Sequence, residues 1–179
     1  MSCIKTYSGI MIDPLEPKPE QIFIEDIAHA LSMLCRANGH FKSFYSVGQH
    51  CVNCMEEASA RGYSLRVQLA SLLHDASEAY LADVTRPVKK ELPRYLEIEE
   101  PLQNLIWEKY LGSPLTAEET AQVFSIDDDV LYHEFRVLMD TRLGDEEPKL
   151  WSEPVYEYIG FAYWEAQYLA RFAALTKEM

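Results

Sequence analysis

A single all-α domain preceded by a short N-terminal β arm is the architecture this sequence predicts. Three observations predict it. The chain has 179 residues, 48% hydrophobic and 25% charged, which is enough apolar material to close one core and little more. From Glu25 onward, apolar residues recur at spacings of three and four, the period of a half-buried helix. No internal repeat, linker or low-complexity tract divides the chain.

The arm covers residues 1–24, where Gly9, Pro14, Pro17 and Pro19 punctuate the short β-branched stretches Ile4 to Thr6 and Ile22 to Ile24. The helical core covers 25–150. Ile27, Leu31, Leu34 and Cys35 form the apolar stripe of a first helix, which Asn38-Gly39 should stop. A second helix follows Ser46, runs through Arg61 and closes at Gly62. A third starts at Ser64, a natural N-cap, and runs to about Leu81. Thr85-Arg86-Pro87 and Leu92-Pro93 bracket a basic segment before a fourth helix from Arg94 to Leu111. Thr116-Ala117-Glu118-Glu119 has the form of a capping box and opens a fifth helix extending toward Leu143, with a break near Ser125. The segment 151–179 reads as an aromatic-rich C-terminal helix from Pro154 to Lys177. Phe161, Trp164, Tyr168 and Phe172 share one face of it, suited to core packing or to a homo-dimer or larger homo-oligomer.

Charge and composition narrow the function. A net charge of −13 disfavours polymeric nucleic acid, which is held by clustered Lys and Arg. Apolar runs such as Ile159 to Trp164 are too short to cross a bilayer, and Met1 to Lys5 has no leader pattern, so the expectation is a cytoplasmic protein without a membrane partner. Cys51 and Cys54 are read as small buried residues on a helix, because the remaining cysteines, Cys3 and Cys35, lack the spacing of a structural zinc site.

The sharpest chemical signal lies in Leu69-Ala70-Ser71-Leu72-Leu73-His74-Asp75-Ala76-Ser77-Glu78. Its first half is apolar on nearly every side, so His74, Asp75 and Glu78 arrive at the end of a buried helix, where a carboxylate must be paired or bound to a metal. His50 and Asp127-Asp128-Asp129 fall on two other predicted helices. Three helices converging on one point is how a helical domain builds an internal metal centre.

These residues resemble the HD-domain metal-dependent phosphohydrolases, whose signature is H…HD…D, and most closely the small bacterial and phage subgroup that contains 5′-deoxynucleotidases. The resemblance extends through Ile24 to Leu31, Phe44 to His50, His74 to Asp83 and the Pro87-Val88-Lys89 turn. It implies a single HD domain that binds one divalent metal ion per subunit (Mn, Co, Fe, Ni, Zn or Mg) through His50, His74, Asp75 and Asp127. Asp127 is chosen over Asp128 because it precedes Glu134 by seven positions, the subgroup's spacing. The resemblance further implies Glu78 and Asp83 as the catalytic proton-handling acids and Arg36 as the phosphate-binding arginine; Arg86 and Lys89, in a basic cluster with Lys90 and Arg94, are placed to add positive charge for the phosphate. Ala37 stands where the best-known deoxynucleotidases carry a tryptophan that excludes a ribose 2′-hydroxyl, and Phe41, Phe44 or Tyr45 are the candidates to replace that wall. The function implied is hydrolysis of a small-molecule nucleotide, a nucleoside 5′-monophosphate. The alternatives are a triphosphohydrolase that releases tripolyphosphate and a non-catalytic nucleotide-binding protein.

Overall fold

The computed structural model describes residues 3–179; the first two residues of the arm lie outside the described residues. The fold is all-α with a small N-terminal arm, as the sequence predicts. The arm is a two-residue antiparallel ribbon, β1 (Ile4–Lys5) against β2 (Met11–Ile12), with Ile4 opposite Ile12. Ile22 to Ile24 does not join it: Ile22 is buried under the bundle, and Ile24 opens the first helix. Asp26 ties the arm down by accepting hydrogen bonds from the Ser8 amide at 2.6 Å and the Ser8 hydroxyl at 2.8 Å.

The core is built around α2 (Val47–Ala60), which is buried on almost every side and packs against α1 (Ile24–Met33), α3 (Leu65–Leu72), α7 (Ala117–Met139) and α8 (Phe161–Glu178). Ser46 caps α2 by accepting from the Gln49 amide, and Gly62, at φ +71°, ends the turn beyond it. Two short helices, α4 (Glu78–Leu81) and α5 (Arg86–Lys89), lead into α6 (Pro93–Leu111). The Thr116 capping box starts α7 as predicted, but this helix runs unbroken past Ser125 and stops at Met139.

Three further boundaries differ from the sequence reading, each for a tertiary reason. α1 stops at Met33 instead of near Asn38 because Leu34 to Arg36 turns extended and pairs with the approach to α2. Arg36 donates its amide to Tyr45 O at 3.0 Å, and Val47 donates to Leu34 O at 2.9 Å. The C-terminal helix begins at Phe161, because residues 150–159 run extended along α2. There Glu57 accepts from the Ser152 amide at 2.8 Å and the Ser152 hydroxyl at 2.6 Å, and Asn53 accepts from the Val155 amide at 3.2 Å. The aromatic face of α8 is turned into the core at Trp164 and Tyr168, while Phe161 is exposed.

The third boundary creates the site. The predicted helix from Ser64 to Leu81 breaks after Leu72, and residues 73–77 form tight turns closed by i→i−3 bonds such as Ala76 N to Leu73 O at 3.0 Å. A broken helix leaves its last carbonyls without partners, and these are supplied from elsewhere. Ser71 O lies 2.7 Å from His74 Nδ1, Leu72 O accepts from the Tyr168 hydroxyl at 2.8 Å, and Leu73 O accepts from Gln103 Nε2 at 2.8 Å. Gln103 Oε1 in turn accepts from the Ser77 amide at 3.0 Å, so one buried amide on α6 clamps both ends of the turn.

Candidate metal centre

The turn delivers His74 and Asp75 to the bundle interior opposite His50 on α2 and Asp127 on α7. His50 Nε2 lies 3.2 Å from His74 Nε2, 3.1 Å from Asp127 Oδ1 and 3.8 Å from Asp75 Oδ2. His74 Nε2 lies 3.4 Å from Asp75 Oδ2 and 3.7 Å from Asp127 Oδ1. Ligand atoms held at about 2.0–2.2 Å from a shared ion lie at this kind of separation from one another.

Each imidazole is oriented from behind. His50 Nδ1 lies 2.5 Å from Glu134 Oε1, and His74 Nδ1 lies against the Ser71 carbonyl, the outer partners that fix a ligating histidine. The two Nε2 atoms face each other and two carboxylate oxygens, and when both imidazoles donate from Nδ1 to their outer partners all four become acceptors. Four acceptors at such distances repel one another unless a positive charge lies among them, so the donor set fits a bound cation.

Protonation follows the same logic. Burial pulls the His74 pKa down, but Asp75, Cys51 and Asp127 outweigh it and hold the imidazole well above its usual value. Asp127 is buried, yet its hydrogen bonds to the two histidines keep it well below the carboxylate range. Both shifts mark a cluster whose acids call for positive charge beside them.

The neighbouring thiols belong to the same cluster. Cys54, one turn after His50, puts Sγ 3.5 Å from His50 Nε2 and groups with His50, His74 and Asp127, and Cys51 groups with His74 and Asp75. Both cysteines are buried on α2 as the sequence predicts, and burial raises both thiols, Cys51 to about 11. Their adjacency to the centre was not foreseen; only the spacing of four from His50 to Cys54 hints at it.

The centre opens into a cavity of about 1070 Å³ between α6 and α7, and Arg36, Glu78, Asp83, Arg86 and Lys89 all line it. Arg36 is buried and held by two acids, with Nε 3.1 Å from Glu134 Oε2 and Nη1 3.2 Å from Asp75 Oδ2. Glu78 is 5% exposed; its Oε1 accepts from Lys89 Nζ at 3.3 Å, while Oε2 is buried with no hydrogen-bond partner among the described residues. Burial, reinforced by Asp75 and Asp83, pushes the Glu78 carboxyl well above its usual pKa, and burial raises Asp83 as well. Ala82, at φ +117°, bends the backbone sharply to bring Asp83 to the rim.

Arg86 is engaged by acids: Nη2 lies 2.5 Å from Asp127 Oδ2 and Nη1 bonds Asp128. Asp127 is thus the residue that reaches the imidazoles, and Asp128 lies outside as the partner of Arg86. Lys89 is similarly shared between Glu78 and Glu99, the latter at 2.7 Å. Of the three aromatics considered beside Ala37, Phe41 lines the cavity, whereas Tyr45 is buried behind it in a 2.8 Å hydrogen bond from Asn53 and Phe44 is partly exposed beside Tyr158.

No family model matches the chain. It is similar to the uncharacterized protein YfdR of Escherichia coli, 41% identical over 110 residues, covering 62% of this chain and 59% of that protein. It is also similar to an uncharacterized protein of Rhodobacter capsulatus, 43% identical over 101 residues, covering 53% of this chain and 51% of that protein. The chain therefore spans between half and three-fifths of the length of these curated relatives. Among the described residues, no helix is long and apolar enough to cross a membrane.

Proposed function

We propose that this protein is a metal-dependent phosphohydrolase of the HD type acting on nucleoside 5′-monophosphates. The observation that carries the reading is that His50, His74, Asp75 and Asp127 converge at the wall of a cavity that also presents Arg36, Lys89 and two acids of raised pKa. The resemblance of these same residues to the H…HD…D signature supports it.

A divalent ion held by the two imidazoles and two carboxylates would supply a Lewis acid for a phosphoryl oxygen and lower the pKa of a water molecule. The remaining work falls to the chain. Arg36, fixed by Glu134 and Asp75, presents a pre-oriented guanidinium to the phosphate, an arrangement whose ordering cost is met on folding. Glu78, with a raised proton affinity and an unpartnered Oε2, accepts a proton from the attacking water, since a base is most effective when its pKa approaches the working pH. Asp83, also raised, returns a proton to the leaving sugar oxygen. Lys89, shared between Glu78 and Glu99, stands on the cavity wall with Arg36 as a positive group that an anionic substrate can meet.

The test is a phosphate-release panel over AMP, dAMP, the other monophosphates and the dNTPs with protein loaded in turn with Mn, Co, Fe, Ni, Zn and Mg. Orthophosphate from monophosphates is the expected product. Tripolyphosphate from dNTPs would favour the triphosphohydrolase, and no product from any substrate would overturn the reading.

A further inference from the structure

Three backbone segments carry the cation cluster, and they are not equally stiff. His50 and Asp127 stand on the unbroken helices α2 and α7, whereas His74 and Asp75 stand on the turns of residues 73–77, where hydrogen-bond geometry is poorer than in an α-helix. The amides around these turns follow a pattern with one exception. Ala76, Glu78, Ala79 and Tyr80 each donate to the carbonyl three residues back, at 3.0, 3.0, 3.3 and 3.0 Å. Ser77 leaves the series: its amide donates to Gln103 Oε1 at 3.0 Å. The bond it forgoes would have ended on the carbonyl of His74, so the backbone beside this imidazole is placed by α6.

The other end of the same side chain acts on the far side of the ligand pair, where Gln103 Nε2 donates to Leu73 O at 2.8 Å. Leu73, Ser77 and Gln103 are all buried, so both bonds are sheltered from water, and losing Gln103 would strip the Ser77 amide of its acceptor. Glu78 follows Ser77 directly, so the bond that fixes the turn also fixes where α4 begins. His50 has its outer partner in Glu134; the His74–Asp75 pair has its own in the backbone that Gln103 grips.

We propose that Gln103 is a positioning residue for the metal centre. It touches no ion, and it sets the spacing of His74 and Asp75 from the two fixed ligands by holding Leu73 and Ser77 on either side of them. The inference rests on the metal-centre part of the phosphohydrolase reading and is independent of the substrate.

Co(II) binding tests it, with affinity read by competition against a chromophoric chelator and coordination read from the visible ligand-field absorption, at a temperature where circular dichroism shows every protein folded. Gln103→Met keeps length and burial and removes both bonds. Gln103→Asn keeps the amide but is one methylene too short to span both partners, and it carries the test alone if Gln103→Met does not fold. Glu57→Gln is the control for a merely structural loss, since it weakens buried bonds about two turns along α2 from His50. Gln103→Met is expected to bind Co(II) 10- to 100-fold more weakly than the native chain, with an altered spectrum, and Gln103→Asn to fall between them. Glu57→Gln keeps the native affinity and spectrum. The assignment is overturned if the Gln103 variants match the native chain in both readouts, if Glu57→Gln loses as much affinity as they do, or if the native chain binds no Co(II). Failure of the hydrolase reading shows separately, as native protein that holds Co(II) in the cluster and releases no orthophosphate from AMP or dAMP.

Discussion

Glu134 Oε1 lies 2.5 Å from His50 Nδ1, and its other oxygen lies 3.1 Å from Arg36 Nε, so one fully buried carboxylate orients both an imidazole of the candidate metal cluster and an arginine of the cavity wall. Burial would raise its pKa, but Arg36 and His50 overcome this and keep it below the ordinary carboxylate value, hence charged. Glu134→Gln keeps the shape and removes the charge. It is expected to lower divalent-metal affinity 10- to 100-fold, measured by competition with a chromophoric chelator, with the helical circular dichroism retained. Unchanged affinity would remove Glu134 from this role.

Glu78 should behave differently from the ligands. Glu78→Gln is expected to retain the metal at native stoichiometry while kcat falls about 100-fold or more, the usual contribution of a positioned proton-transfer group. Element analysis by plasma mass spectrometry beside steady-state kinetics separates the two effects. Loss of metal in this variant would make Glu78 a ligand instead.

Gly48 sets how closely α2 can approach α1. A Cβ there would stand 3.0 Å from Ser32 N and 3.1 Å from Leu31 C, both backbone atoms that cannot swing away. Gly48→Ala is expected to destabilise the fold by about 1–3 kcal/mol. Because His50 follows two residues later, the variant should also weaken metal binding. Chemical denaturation with and without added metal measures both, and a native-like midpoint would show that the two helices can part without cost.

Glu57 anchors the extended segment before α8, accepting from Arg61 Nε at 2.7 Å as well as from Trp151 and Ser152. Those bonds, opposing burial, hold its pKa below the ordinary 4.5. A depressed carboxylate stabilises the fold fully above its unfolded pKa and loses that contribution as pH falls through the folded value. Glu57→Gln should therefore cost about 2 kcal/mol near neutral pH and progressively less as pH drops below about 4.3. Thermal melts of both proteins across this range give the comparison; a difference that stays constant with pH would assign the loss to packing.

Much of this was legible in the sequence where the signal is local. Ser46, Ser64 and the Thr116 box mark the starts of α2, α3 and α7, because a cap acts within one turn of its own residue. The four-residue set with Asp127 came from the family resemblance, while His50, His74-Asp75 and the run Asp127 to Asp129 were legible as polar residues on three separate helices. The break at residues 73–77 was not, since the groups that satisfy the opened carbonyls, Gln103 and Tyr168, come from helices 30 and 96 residues further along the chain. The extended run before α8 escaped for the same reason, being held by Glu57 and Asn53 on α2. The pairing of Arg86 with Asp127 and Asp128 spans 41 and 42 residues and has no local signature.

The central claim is that the two histidines and two aspartates hold one divalent ion that the hydrolysis of a nucleoside 5′-monophosphate requires. The most direct measurement compares native protein with Asp75→Asn, reading metal content and orthophosphate release from AMP and dAMP on the same preparations. The native chain should carry one metal ion per subunit and release orthophosphate, and the variant should lose both together. A variant that keeps the metal and its turnover, or a metal-loaded native chain that releases nothing from either nucleotide, would contradict the account.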